Sequence, residues 1–138
     1  MTQLAPDMST NKEDLVVLVV PADGSYLAVL RTATAGLAAR LQFTLDEIED
    51  LRIAVDEACA ILLSIASDRT EVTSQFEVTD SALSIDVSVP VSGPAALPGD
   101  NSFSWQVLTA LAGEVTAKTA GDRALIRLTK RRSLPPTG

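Results

Sequence analysis

The sequence of 138 residues contains no histidine and only one cysteine, Cys59. Histidine is the commonest general acid–base and the commonest metal ligand, so its absence excludes Ser-His-Asp and Cys-His catalysis. A single cysteine excludes an intrachain disulfide and a cysteine-cluster zinc site, and no metal site is expected. Because Cys59 shares a helical side with Ile48, Val55 and Leu62, we expect a small buried apolar residue there.

The chain also lacks any apolar run near the roughly 18 residues that a membrane span requires. Its first residues, MTQLAPDMSTNKED, do not show the basic start and apolar stretch of a secretory signal. We therefore expect no membrane association, and a cytoplasmic location follows by default.

Positive charge is scarce: the chain has 11 Lys and Arg residues but 18 Asp and Glu residues, and its formal net charge is −7. An acidic chain repels nucleic-acid phosphates, so direct nucleic-acid binding is not expected. The charge can attract a basic partner protein. It can equally do no more than keep the protein soluble.

The apolar pattern divides the chain into an arm, one domain and a tail. Residues 1–13 and 132–138 are polar or Pro-rich and are predicted to be disordered, whereas 14–131 carry the periodic signals of a domain. A β-branched run that begins at Asp14 and ends at Pro21 and Gly24 predicts a buried strand.

Two helices are predicted next. Ser25 can cap the first, which runs to about Gln42, and TLDE at Thr44–Glu47 matches a capping box for the second. The first helix has a core stripe and, on another side, a row of small residues: Leu27, Leu30, Leu37 and Leu41 form the stripe, and Ala28, Thr32, Ala35, Gly36 and Ala39 form the row.

The second half of the domain reads as two hairpins around a short helix. TEVTSQFEVT and ALSIDVSVPV alternate apolar and polar residues, and a Gly- and Pro-rich loop separates them from the helix SFSWQVLTALAG and the closing hairpin. The predicted order is β-α-α-β-β-α-β-β. It indicates an α+β two-layer sandwich with a mixed, mostly antiparallel sheet and helices on one face.

One carboxylate breaks this pattern in the second helix. Glu57 lies four residues from both Ile53 and Ile61, so the three side chains share one column of the helix. Glu57 is either a general base with a pKa raised by apolar neighbours or a structural carboxylate at a pocket rim. Asp56 is expected to be a solvated carboxylate facing Arg52.

The ordered part of the chain resembles the anti-sigma factor kinases of the RsbW/SpoIIAB type, which belong to the GHKL superfamily of ATPases. LDEIEDLRIAVDEA resembles the helix with the family's N-box, and NSFSWQVLTALAGEVTAKTAGDRALIRLTKR resembles its C-terminal helix and hairpin. The likeness is greatest to the short, divergent anti-sigma proteins of actinobacteria.

The resemblance assigns roles to two positions of the second helix. The N-box reads Glu-x-x-x-Asn, in which the glutamate is the general base toward a serine and the asparagine holds Mg²⁺. Glu57 matches the glutamate, but Ile61 stands at the asparagine position. Since Mg²⁺ requires oxygen ligands, we expect weak or absent ATP binding.

The family's glycine motifs are altered as well. The Asp-x-Gly-x-Gly motif corresponds to VPVSGPAALPGD, which keeps Gly93 and Gly99 but has no aspartate at the expected place, because Asp100 comes too late. The last helix should follow Gly-x-Gly, where backbone N–H groups cradle phosphates. Phe103 and Trp105 stand there instead. They either pack in the core or fill the emptied pocket or anchor a partner.

The resemblance also implies partners. Arg31 matches an arginine that touches both the sigma factor and its antagonist in the family, although it can also be an ordinary surface charge. Family members dimerise, and the small-residue side of the first helix offers a dimer contact.

Three functions follow from these expectations. The first is an anti-sigma factor that sequesters an alternative sigma factor until a STAS-type anti-anti-sigma antagonist releases it. The second is an active ATP-dependent protein-serine kinase that phosphorylates this antagonist, with Glu57 as the base. The third is an α+β domain with no tie to transcription.

Overall fold

The computed structural model describes residues 13–94, 97–99 and 101–133. In chain order the elements are β1 (Asp14–Pro21), a short 3-10 helix (Gly24–Tyr26), α1 (Leu27–Arg40), α2 (Leu45–Leu63), β2 (Glu71–Val78), β3 (Ala82–Pro90), α3 (Phe103–Ala112), β4 (Glu114–Ala120) and β5 (Arg123–Arg131). This arrangement confirms the predicted α+β class. Residues 1–12 of the predicted arm at 1–13, residues 134–138 of the predicted tail at 132–138, and Asp100 lie outside the described residues.

The five strands form one sheet in the order β1-β2-β3-β5-β4, and all four neighbouring pairs are antiparallel. The expectation of a mixed sheet is therefore wrong for the described strands. Between β1 and β2 the chain crosses the sheet twice, once in each of two helices. It therefore enters β2 at the same end of the sheet at which it left β1, and the two strands are antiparallel. The single helix α3 would make β4 parallel to β3, but β5 lies between these two strands.

The core lies between one face of the sheet and the helices. Alternate residues of β2, β3 and β5 are buried, which confirms the alternation expected for the strands TEVTSQFEVT and ALSIDVSVPV. Helix α2 covers this face with six buried residues, which are Leu51, Ala54, Val55, Ala58, Cys59 and Leu62. The buried Ser74 Oγ has no hydrogen-bond partner among the described residues.

Helix α1 buries a slightly different side from the one predicted. Leu30 and Leu41 of the predicted stripe are buried, whereas Leu27 and Leu37 are only partly buried against the core. Thr34 and Ala38 are fully buried as well. The hydroxyl of Thr34 donates to the carbonyl of Leu30 at 2.7 Å, so a polar side chain can occupy this buried position. The small-residue side of α1 faces outward.

Strand β1 is an edge strand, and the prediction of a buried strand is wrong. It pairs only with β2, and α1 covers its inner face incompletely. Its outward side chains are about half exposed, with Leu15 at 55%, Val17 at 54% and Val19 at 49%. The sequence run gives apolar residues to both faces of this strand, but the described part of the chain covers neither face fully.

Beyond β1, the outer face of the sheet carries an ion-pair network across β2, β3 and β5. Arg127 on β5 donates to both carboxylate oxygens of Asp86 at 2.8 and 2.9 Å and to Glu77 at 3.0 Å. The hydrogen bond to Glu77 and the charge of Asp86 raise the pKa of Arg127, although burial opposes this change. None of the helices in the described part of the chain is long and apolar enough to cross a membrane.

The predicted capping box of α2 is confirmed. The backbone N–H of Glu47 donates to Thr44 Oγ1 at 3.1 Å, and that of Thr44 donates to Glu47 Oε1 at 2.7 Å. The other oxygen of Glu47 accepts hydrogen bonds from the backbone N–H and the hydroxyl of Ser133. Partial burial raises the pKa of Glu47, but the hydrogen bonds from Ser133 and Thr44 together hold it below its usual value.

This pKa gives a testable pH dependence. Because the folded-state pKa of Glu47 is lowered, its stabilisation is present above the unfolded-state pKa and is lost as the pH falls through the folded-state value. We expect the wild type to exceed Glu47→Gln by about 0.5 kcal/mol in free energy of unfolding near neutral pH, and the difference to vanish in acid. Urea unfolding between about pH 7 and pH 3 measures this, and a constant difference over that range would contradict the assignment.

Candidate functional site

Glu57 lies at the boundary between the core and solvent. The six buried residues of α2 fix its rotation, so that Ile53 is 43% exposed and Glu57 is partly exposed. Glu57 makes no hydrogen bond or ion pair with any residue that the structure describes. The carboxylate in the apolar column is therefore partly solvated and free to meet a ligand or partner.

Ile61, one turn after Glu57, is partly buried and packs against the core. Its aliphatic side chain offers no oxygen to a cation. Within residues 13–94, 97–99 and 101–133, no group of three or more His, Cys, Asp or Glu side chains is placed to hold a metal ion.

The two candidate glycines are not brought together with Glu57 in one pocket. Gly93 lines an open cleft of about 290 Å³ at the end of β3, beside the β4–β5 turn, and neither Glu57 nor Ile61 lines that cleft. The carbonyl of Gly99 accepts from the backbone N–H of Ser102 just before α3. An added Cβ would meet nothing within 4 Å at either glycine. The backbone therefore does not require glycine at these positions.

The start of α3 is closed by its own cap. The hydroxyl of Ser102 accepts from the backbone N–H of Trp105 at 3.1 Å, and the carbonyl of Ser102 accepts from that of Gln106. Phe103 is 80% exposed and Trp105 is partly buried, so the prediction of core packing is wrong for Phe103. The reason is helical phase, since Leu108 and Ala112 face the core and Phe103 points away from it.

Arg31 and Asp56 join α1 to α2 through an ion pair of 3.3 Å, with Arg31 37% exposed. The expected Asp56–Arg52 contact is wrong, because Arg52 turns back to Glu49 at 2.9 Å. Sequence spacing along one helix could not reveal the Arg31 contact, which depends on how the two helices pack. Arg31 keeps enough exposure to reach a partner.

Cys59 is buried, as predicted. Burial, with a smaller contribution from the charge of Asp56, raises the pKa of its thiol to about 12. The thiolate is the reactive form of cysteine, so this thiol is inert at neutral pH and can be excluded as a nucleophile.

The residue at the metal-ligand position does not fit the Mg²⁺ of a nucleotide complex. The position expected to supply an oxygen ligand is aliphatic, and the backbone N–H of Trp105 at the start of α3 is used by the helix's own cap. Helix N-termini bind phosphate through free backbone N–H groups. The site geometry therefore provides little of what phosphoryl transfer needs.

Comparison with known proteins places the chain among relatives of one kind. The architecture, with helices on one face of an antiparallel sheet, is compatible with the GHKL-like fold. No family model matches the sequence. The chain is 38% identical to the serine-protein kinase RsbW of Bacillus subtilis (strain 168) over 81 residues. The matched segment covers 56% of this chain and 51% of the relative.

Other RsbW kinases give the same result. The RsbW of Bacillus velezensis is 36% identical over 84 residues, which are 59% of this chain and 52% of that relative. The RsbW of Halalkalibacterium halodurans is 38% identical over 61 residues, which are 44% of this chain and 38% of that relative. The chain spans about half the length of the curated relatives it matches. The chain is thus related to the RsbW type of serine-protein kinase, and the resemblance seen in the sequence is confirmed.

The altered metal position predicts a nucleotide response. We expect no Mg²⁺-dependent gain in affinity when the wild type is titrated with ATP or ADP, and a measurable gain in Ile61→Asn, because the amide restores an oxygen ligand. The substitution should also lower the free energy of unfolding by about 1–3 kcal/mol, since a partly buried aliphatic side chain is lost.

Isothermal titration with and without Mg²⁺ measures this affinity. Ile53→Asn is the matched control, because Ile53 lies in the same column two turns earlier and is expected to gain nothing. Strong Mg²⁺-dependent binding by the wild type would contradict the assignment.

Proposed function

We propose that the chain is a cytoplasmic anti-sigma factor, which sequesters an alternative sigma factor of RNA polymerase and is released by a STAS-type anti-anti-sigma antagonist. The observation that supports this proposal is that Ile61, in a chain related to RsbW, packs against the core at the position of the expected metal ligand. Replacement of a metal ligand can abolish kinase activity while the outer surfaces that contact partner proteins remain unchanged. Binding is therefore the function that it retains.

Arg31 supports the proposal as a contact residue. Its guanidinium is partly exposed on the α1–α2 surface and is held by one exposed carboxylate, Asp56, at 3.3 Å. An exposed ion pair of this kind contributes little to stability, so a partner carboxylate can compete for the arginine at small cost. Arginine is enriched among residues that dominate binding energy at interfaces.

The test is binding of the sigma factors of the same genome to the purified chain. We expect one sigma factor to form a stable complex, and Arg31→Ala to weaken it by about tenfold or more. Arg52→Ala is the matched control, because Arg52 is similarly exposed and paired on the neighbouring helix, and it should change affinity less than about twofold. Absence of a complex with every sigma factor would overturn the proposal.

An active protein-serine kinase is the second candidate, favoured by the relatives, which are serine-protein kinases, and by Glu57 at the position of the base. Incubation with Mg²⁺-ATP and a STAS-type antagonist, followed by intact mass measurement, separates the two. Gain of one phosphate by the antagonist would establish the kinase.

We also propose that the chain forms a homodimer through β1 and α1. The free edge of β1 is apolar, whereas the opposite edge strand β4 carries Glu114 and Lys118, charges that discourage pairing. Beside β1 lies an apolar groove of about 460 Å³, lined by Leu18, Ala28, Val29, Thr32 and Ala33. This groove includes part of the small-residue side of α1.

A charge on β1 tests the dimer. Val17→Lys should shift the chain from dimer to monomer in sedimentation velocity, because two lysines would meet at the paired edges. Thr116→Lys, at an exposed position of β4, is the matched control and should leave the dimer intact. A wild-type monomer at micromolar concentration, or a Val17→Lys dimer, would refute this interface.

A further inference from the structure

The direction of α3 places its first turn beside the second half of α2. Lys130 on β5 donates to the carbonyl of Leu111 in the last turn of α3 at 2.9 Å and lies 4.0 Å from Asp50, near the start of α2. The end of α3 and the start of α2 therefore lie at the same end of the sheet. Since the two helices are in contact, they run antiparallel, and the residues that open α3 lie along the part of α2 that carries Glu57.

This region exposes apolar side chains from both helices. Phe103 is 80% exposed, Ile53 is 43% exposed, and Ile61 is only partly buried. Together with Glu57 these residues are called the α2–α3 surface. Exposed aromatic and aliphatic side chains around one polar group are the composition of a protein-binding hot spot.

Charge decides what this surface can bind. Glu57 has no partner among the described residues, and the backbone N–H groups of Trp105 and Gln106 are occupied by Ser102. The surface therefore presents the negative charge of Glu57, and one N–H group at the start of α3 is used by the helix's own cap. A cationic group flanked by apolar side chains satisfies both the carboxylate and the exposed apolar area.

We propose that the α2–α3 surface binds an amphipathic helix of the sigma factor, which places apolar side chains on Phe103 and Ile53 and one Lys or Arg against Glu57. The inference rests on the proposed anti-sigma function. A helix is the expected occupant because its residues spaced three and four apart can place apolar side chains and one basic side chain on a single face. The formal charge of −7 favours a basic segment.

Affinity for the sigma factor tests the surface. We expect Phe103→Ala and Glu57→Lys each to weaken the complex by about tenfold or more, because one removes an aromatic anchor and the other opposes the basic residue. Asp46→Asn, at an exposed position in the first turn of α2, is the matched control and should leave the affinity within about twofold. Phe103 is exposed, so its loss should not impair folding, which thermal unfolding checks.

A spectroscopic probe locates the contact. Trp105 is the only tryptophan of the chain, so 5-fluorotryptophan incorporated into this chain gives one fluorine NMR resonance at the start of α3. It should shift when unlabelled sigma factor is added to the wild type or to Asp46→Asn. Addition of Mg²⁺-ATP should leave it in place.

The outcomes separate this inference from the proposed function. A complex that depends on Arg31 but is unaffected by Phe103→Ala and Glu57→Lys, with an unshifted resonance, overturns the α2–α3 surface and leaves the anti-sigma function standing. The inference is also overturned if Phe103→Ala and Glu57→Lys weaken binding of the STAS-type antagonist but not of the sigma factor. Absence of any sigma-factor complex overturns both.

Discussion

The structure depends on the packing of α2 against the sheet. Its buried side fixes both the rotation of the helix and the distance at which α1 and α3 lie on either side. The same contact determines that Cys59 points into the core, that Glu57 reaches the boundary and that Asp56 meets Arg31. Interiors are close-packed, so this helix cannot rotate to present another column without opening cavities.

That constraint gives the identity of residue 61 consequences for stability as well as for metal binding. A partly buried position against the core favours an aliphatic side chain in a protein that does not bind a metal there, because apolar burial stabilises the fold. An asparagine at the same place must instead be satisfied by a hydrogen bond or a cation, or it costs stability. Isoleucine at this position therefore favours the stability of the fold, whereas asparagine allows metal binding at a cost in stability.

Local features of this fold were predictable, and features that depend on packing between elements were not. The capping box of Thr44 and Glu47 and the alternation of β2 and β3 lie within short segments, so their physics is contained in the sequence. The exposure of β1, the antiparallel sheet and the outward direction of Phe103 depend on which element covers which. For the candidate site, sequence spacing identified the column of Glu57 and Ile61 but assigned Asp56 to the wrong arginine, since that contact spans two helices.

A binding protein without phosphoryl transfer must exchange its partners by equilibrium alone. A kinase can remove its antagonist from competition by covalent modification, whereas a chain without this chemistry can only distribute itself according to the affinities and concentrations of sigma factor and antagonist. Moving the occupancy from 1:99 to 99:1 then needs a change of about 10⁴ in the product of affinity and concentration. If the proposed anti-sigma function operates without phosphoryl transfer, a signal changes the occupancy by changing the affinities or concentrations of the partners.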